Sequence, residues 1–128
     1  MSERLPRFAL RILSALLFLA ILIQFFIAGM AATTKPDWWT YHSAWIGIFQ
    51  WLVVPLPILA FLSARPRYWR TAFATVPMFQ VALQYVLAHR ALEGRLTTGI
   101  GLHAVNGALL LIVATCLATG WADRKMSA

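Results

Sequence analysis

Three histidines and a handful of carboxamides are the residues of this 128-residue chain best placed to do chemistry inside an apolar body. His42 stands in Trp39-Thr40-Tyr41-His42-Ser43, His103 in Gly101-Leu102-His103-Ala104-Val105-Asn106-Gly107, and His89 directly precedes Arg90. Neutral imidazole binds haem iron and several transition metals. A carboxamide or a backbone carbonyl can hold the second ring nitrogen and so decide which one faces the metal. His103 and Asn106 are three apart and Gln80 and Gln84 four apart, so each pair shares a helix face. Gly107 follows His103 by one turn and Gly47 follows His42 by five positions. Small residues beside a ligand position let a flat ring approach the backbone.

The residues that are missing narrow the chemistry further. Cys116 is the single cysteine, which excludes a disulfide within the chain and a thiolate zinc site built by it alone. No C-x-x-C-H stretch exists for covalent haem attachment. The acids are Glu3, Asp37, Glu93 and Asp123, and none falls within an apolar run. A proton or cation carrier therefore lacks its internal carboxylate. There is no nucleophile–base pair or glycine-rich phosphate loop, so hydrolytic and phosphoryl-transfer enzymes have no support.

The elements that must position these side chains follow from composition. Hydrophobic residues make up 61% of the chain and charged residues 12%, against about 45–50% and about 25% in soluble domains. A single soluble domain of this length has too little interior for so much apolar surface. Four apolar runs stand out, roughly 8–31, 43–62, 69–87 and 98–121. Each is long enough to cross a hydrocarbon core of about 30 Å as a helix, and backbone pairing in lipid requires helices. The first run exceeds the h-region of a signal peptide and is read as a retained helix. Short connections make successive helices antiparallel neighbours. The expected fold is all-α, one membrane domain over residues 1–128, a four-helix up-down-up-down bundle. Pro55 and Pro57 are expected to kink or open the second helix, and Pro77 the third. Met78 is expected as core filler.

Orientation follows from the basic residues, which give a net charge of +7. Arg4, Arg7, Arg11, Arg65, Arg67, Arg70, Arg124 and Lys125 fall on one side; Lys35, Arg90 and Arg95 fall on the other. The positive-inside rule puts both termini and the middle loop in the cytoplasm, and the basic charge reads as membrane topology rather than nucleic-acid binding. Arg11 and Arg70, near the ends of their runs, are expected to snorkel to the interface. Trp38, Trp39, Tyr41 and Trp45 then form an outer aromatic belt, and Tyr68, Trp69 and Trp121 an inner one. Gln24, His42, Gln84 and His103 come from four successive helices and share the outer half.

Gln24-Phe25-Phe26-Ile27-Ala28-Gly29 closing helix 1, a histidine opening helix 2, a late glutamine in helix 3 and His103-x-x-Asn106 in helix 4 form a set. In these the chain resembles a family of small bacterial four-helix integral membrane proteins of unknown function. The resemblance covers most of the chain and implies the fold, not an activity.

Three readings of function stand together at this stage. In the first, the chain is an accessory subunit of the bacterial inner membrane, packed on a larger membrane complex or on copies of itself, with its polar residues fastening helices. In the second, His42 and His103 ligate a b-type haem in membrane electron transfer, with Gln24, Gln84 and Asn106 around it and Gly47 and Gly107 making room. In the third, the same histidines, joined by His89, bind a metal ion, or the pocket takes a quinone head group. The lipid bilayer is the partner common to all three.

Overall fold

A computed structural model describes residues 4–63 and 67–121. The helices are α1 (Arg4–Thr33), α2 (Trp38–Phe49), α3 (Pro55–Ser63), α4 (Arg67–Leu92) and α5 (Gly99–Thr119), with a 3-10 turn, Gln50–Val53, between α2 and α3. Four stretches are long and apolar enough to cross a membrane: Arg4–Thr33, Trp38–Ser63, Tyr68–Leu92 and Gly99–Thr119. The chain is thus an all-helical protein of multi-pass membrane type. Arg65, Arg124 and Lys125, used above to assign sidedness, lie outside the described residues.

The four spans form a ring. α1 packs on α2, α3 and α5, and α4 packs on α3 and α5; the diagonal spans do not pack backbone to backbone. This is the up-down-up-down arrangement that short connections favour. The connections are shorter than the apolar runs suggest, because helices continue through polar flanks. α1 reaches Thr33 and α2 already begins at Trp38, so His42 sits inside α2 rather than ahead of it. One end of the bundle carries the α1–α2 and α4–α5 connections and all three histidines; it is called the histidine end below, and the opposite one the termini end.

The second span breaks where the prolines require it. Pro lacks an N–H and clashes with the preceding turn, so Pro55 starts α3, and the residues before it tighten into the 3-10 turn. The break changes the packing: α2 lies against α1 alone, whereas α3 lies against both α1 and α4. Pro77, by contrast, is contained within an uninterrupted α4.

The apolar core is densest toward the termini end, where Leu10, Leu17, Leu56, Ala60, Ala74, Leu110, Ala114 and Leu117 are buried. Alanines on facing helices allow close approach, the usual basis of helix association in lipid. Buried Ser14 and Ser63 donate to carbonyls of their own helices, Leu10 O at 2.8 Å and Ala60 O at 2.9 Å. Arg70 does not snorkel. It is 5% exposed and its guanidinium donates to Ser63 Oγ at 3.5 Å, beside the C-terminal end of α3, where a cation is favoured. The Arg11 guanidinium lies against Gly120. That glycine ends α5 in the left-handed conformation, φ +66°, which a Cβ would strain.

Two further expectations change. Trp45 is no belt residue: its indole N–H points inward and donates to Ala20 O at 2.9 Å. Trp39 and Tyr41 are exposed as a belt requires, as are Tyr68, Trp69 and Trp121 at the other end. Met78 is exposed rather than core filler.

Candidate functional site

The site grows from α5, whose first turns carry His103 and Asn106 toward α4. Asn106, 6% exposed, donates through Nδ2 to Gln80 O at 2.8 Å. His103 Nδ1 lies 3.2 Å from Gln84 O. A carbonyl only accepts, so Nδ1 carries the proton and donates. Neutral His103 then keeps its Nε2 lone pair, the tautomer used by metal-binding histidines held by a backbone carbonyl. The i, i+3 pair on α5 thus meets the i, i+4 pair on α4 through backbone carbonyls rather than through the glutamine side chains.

Close helix approach supports this register. A Cβ on Gly107 would stand 3.1 Å from Gln84 Nε2 and 3.2 Å from Phe25 Cζ, so α1, α4 and α5 converge on that glycine. A Cβ on Gly99 would stand 2.7 Å from Ala91 Cβ and 2.9 Å from Leu87 O, which brings α5 against α4 at its first turn.

From the opposite side α1 and α2 bring His42. Gln24 Nε2 donates to His42 O at 3.1 Å, and the imidazole packs edge-on against Trp39, with ring centroids 5.3 Å apart. The His42 and His103 ring centroids lie 6.3 Å apart across the bundle, with ring planes inclined by 47°. Two imidazoles on opposite sides of one metal, with bonds of about 2 Å each, place their centroids about 6 Å apart. The diagonal pair therefore has the separation that a shared metal centre needs.

The electrostatic character of the cluster is that of surplus acceptors. Every donor in the hydrogen bonds above is directed to a backbone carbonyl. Gln24 Oε1, Gln80 Oε1, Gln84 Oε1 and His42 Nδ1 are buried without a hydrogen-bond partner. Buried polar atoms are nearly always paired, and Arg7 Nε and Thr71 Oγ1 toward the termini end also lack a hydrogen-bond partner.

Of the residues singled out from sequence, Gln24, His42, Gln84, His103, Asn106 and Gly107 come together, joined by Gln80. Gly47 does not. It is exposed and a Cβ there would meet nothing within 4 Å. His89 does not either: its Nδ1 donates to Tyr85 O on its own helix at 2.8 Å. Among the described residues no group of three metal-binding side chains forms, so the three-imidazole site is not built. A link that sequence reasoning missed joins α4 to the broken span, where Tyr85 donates its hydroxyl proton to Gln50 Oε1 at 2.9 Å.

No curated protein and no solved structure matches the chain. The profile of a family of unknown function (DUF6220) matches residues 24–92. That stretch opens at Gln24, contains His42, Gln80 and Gln84, and ends before His103 and Asn106. It spans more than half of the sequence, and the chain belongs to this family of unknown function.

Proposed function

We propose that this protein is a small integral membrane protein that holds a b-type haem between His42 and His103 and passes single electrons within the membrane. The observation that carries the reading is the diagonal imidazole pair, 6.3 Å between centroids. Haem b supplies an iron centre that changes oxidation state by one electron when ligated by two imidazoles. The residues of the chain do the rest. His103 presents Nε2 because the Gln84 carbonyl holds its Nδ1 proton, and His42 offers the buried, unpartnered Nδ1. Gln24 fixes the backbone of α2 at His42. Asn106 locks the height of α5 on α4. A quinol or a protein redox partner exchanges electrons with the haem.

The basic residues of the N-terminal segment and around the start of α4 support placing the termini end in the cytoplasm and the histidine end on the outer face of a bacterial inner membrane. A second reading, an accessory subunit in a larger complex, is favoured by one observation. Both Asn106 and His103 direct a donor to α4 carbonyls, as interhelical fasteners do.

Absorption spectroscopy with metal analysis on protein purified in mild detergent, from cells supplied with a haem precursor, separates the readings. A Soret band with about one iron per chain supports the haem proposal. Bound metal without a Soret band replaces it with a bare bis-imidazole metal site. A folded protein with neither leaves the accessory-subunit reading.

A further inference from the structure

A second site lies away from the histidine pair, on the lipid-facing side of α4. Two concavities adjoin there and share Tyr85. The one at the membrane edge is a shallow, open concavity of about 350 Å³ bordered by His89, Arg90, Glu93 and Arg95. The other encloses about 240 Å³ and is bordered by Gln50, Trp51, Val54, Met78 and Ala82. Neither borders His42 or His103. The deeper groove exists because the second span breaks. α2 leans on α1 alone, and the 3-10 turn faces α4 across the gap with the Tyr85–Gln50 hydrogen bond at its rim.

We propose that these joined concavities hold one anionic phospholipid, with its phosphate at Arg90 and Arg95 and an acyl chain along the groove toward Met78. Three features select this occupant. The charges match: two arginines against the single carboxylate of Glu93, which pairs with Arg95 at 3.4 Å and leaves Arg90 for the phosphate. The polarity divides as a phospholipid does, charged at the edge and apolar below, with the amphipathic Tyr85 at the boundary. The length matches as well. Met78 and Arg90 are twelve positions apart on α4, about 18 Å of helix, slightly more than half of a hydrocarbon core of about 30 Å. A soluble anion would use only the upper part, and a zwitterionic lipid would bring its cationic head group beside the arginines.

Native mass spectrometry of the full chain, titrated with phosphatidylglycerol or phosphatidylcholine in a neutral detergent, tests this. The expected result is one tightly retained phosphatidylglycerol and no comparable phosphatidylcholine. Arg90→Gln with Arg95→Gln should lower its retention at least about fivefold, and Lys35→Gln should leave it unchanged. Ala82→Trp, which fills the groove without altering charge, should also weaken it. Helical circular dichroism confirms that each variant is folded. Equal retention of the two lipids, full retention by the double arginine variant, or displacement by an equal concentration of glycerophosphate would each overturn the proposal.

Discussion

The two halves of the bundle solve the same problem in opposite ways. Toward the termini end, several hydroxyls are satisfied on their own helix, while Arg70 reaches across to Ser63 and Thr71 Oγ1 is buried without a hydrogen-bond partner. Ser14, Ser63, Thr75, Thr115 and Thr119 each donate to a carbonyl three or four residues back on their own helix, and apolar and small residues fill the space between helices. Toward the histidine end, side chains reach across. Gln24, Asn106 and His103 each bridge two helices, and four buried acceptors are left over. A self-satisfied hydroxyl needs no neighbour and specifies none. A carboxamide or imidazole whose partner lies on another helix, as for Gln24, His103 and Asn106, fixes the register of the two helices. The proposed site belongs to the histidine half.

Substitutions can break or sharpen this contrast. The largest effect on stability belongs to the termini half. Leu56→Ala, at a fully buried position, should cost about 2–5 kcal/mol in a reversible SDS unfolding titration. Asn106→Ala removes one bridging hydrogen bond and should cost about 0.6–2 kcal/mol in the same titration; a loss as large as that of Leu56→Ala would erase the distinction. Gly107→Ala comes next, at about 1 kcal/mol, because the new methyl presses on Gln84 and Phe25. Gly47→Ala should be smallest and of opposite sign, stabilising by less than about 1 kcal/mol, since open space surrounds that glycine. Equal effects at the two glycines would show that only one of them had been placed correctly relative to the site.

Much of this contrast is legible in the sequence, and the failures have geometric causes. The four spans and the break before Pro55 follow from apolar length and proline chemistry alone. His42 and His103 reach a common depth because each sits near the start of its own span at the same end. Gly107, one turn from His103, shares its face. Gly47 is five positions from His42, about 140° around a helix of 3.6 residues per turn, and so turns away. Trp45 is three positions from His42 and therefore points inward with it; its aromatic type suggested a belt, but its spacing decides. The Tyr85–Gln50 bond could not be read, because the 3-10 turn rotates Gln50 off the α-helical register. Arg70 is buried because Ser63, on the facing helix end, gives its guanidinium a partner within the protein.

The central claim is that His42 and His103 jointly hold one group. Its most direct test is the optical spectrum of His42→Ala and of His103→Ala, each purified beside the parent and beside His89→Ala. Both single variants should lose the Soret band or convert it to that of a five-coordinate haem, while His89→Ala keeps the parent spectrum. A parent-like six-coordinate spectrum in either of the two variants would contradict the claim.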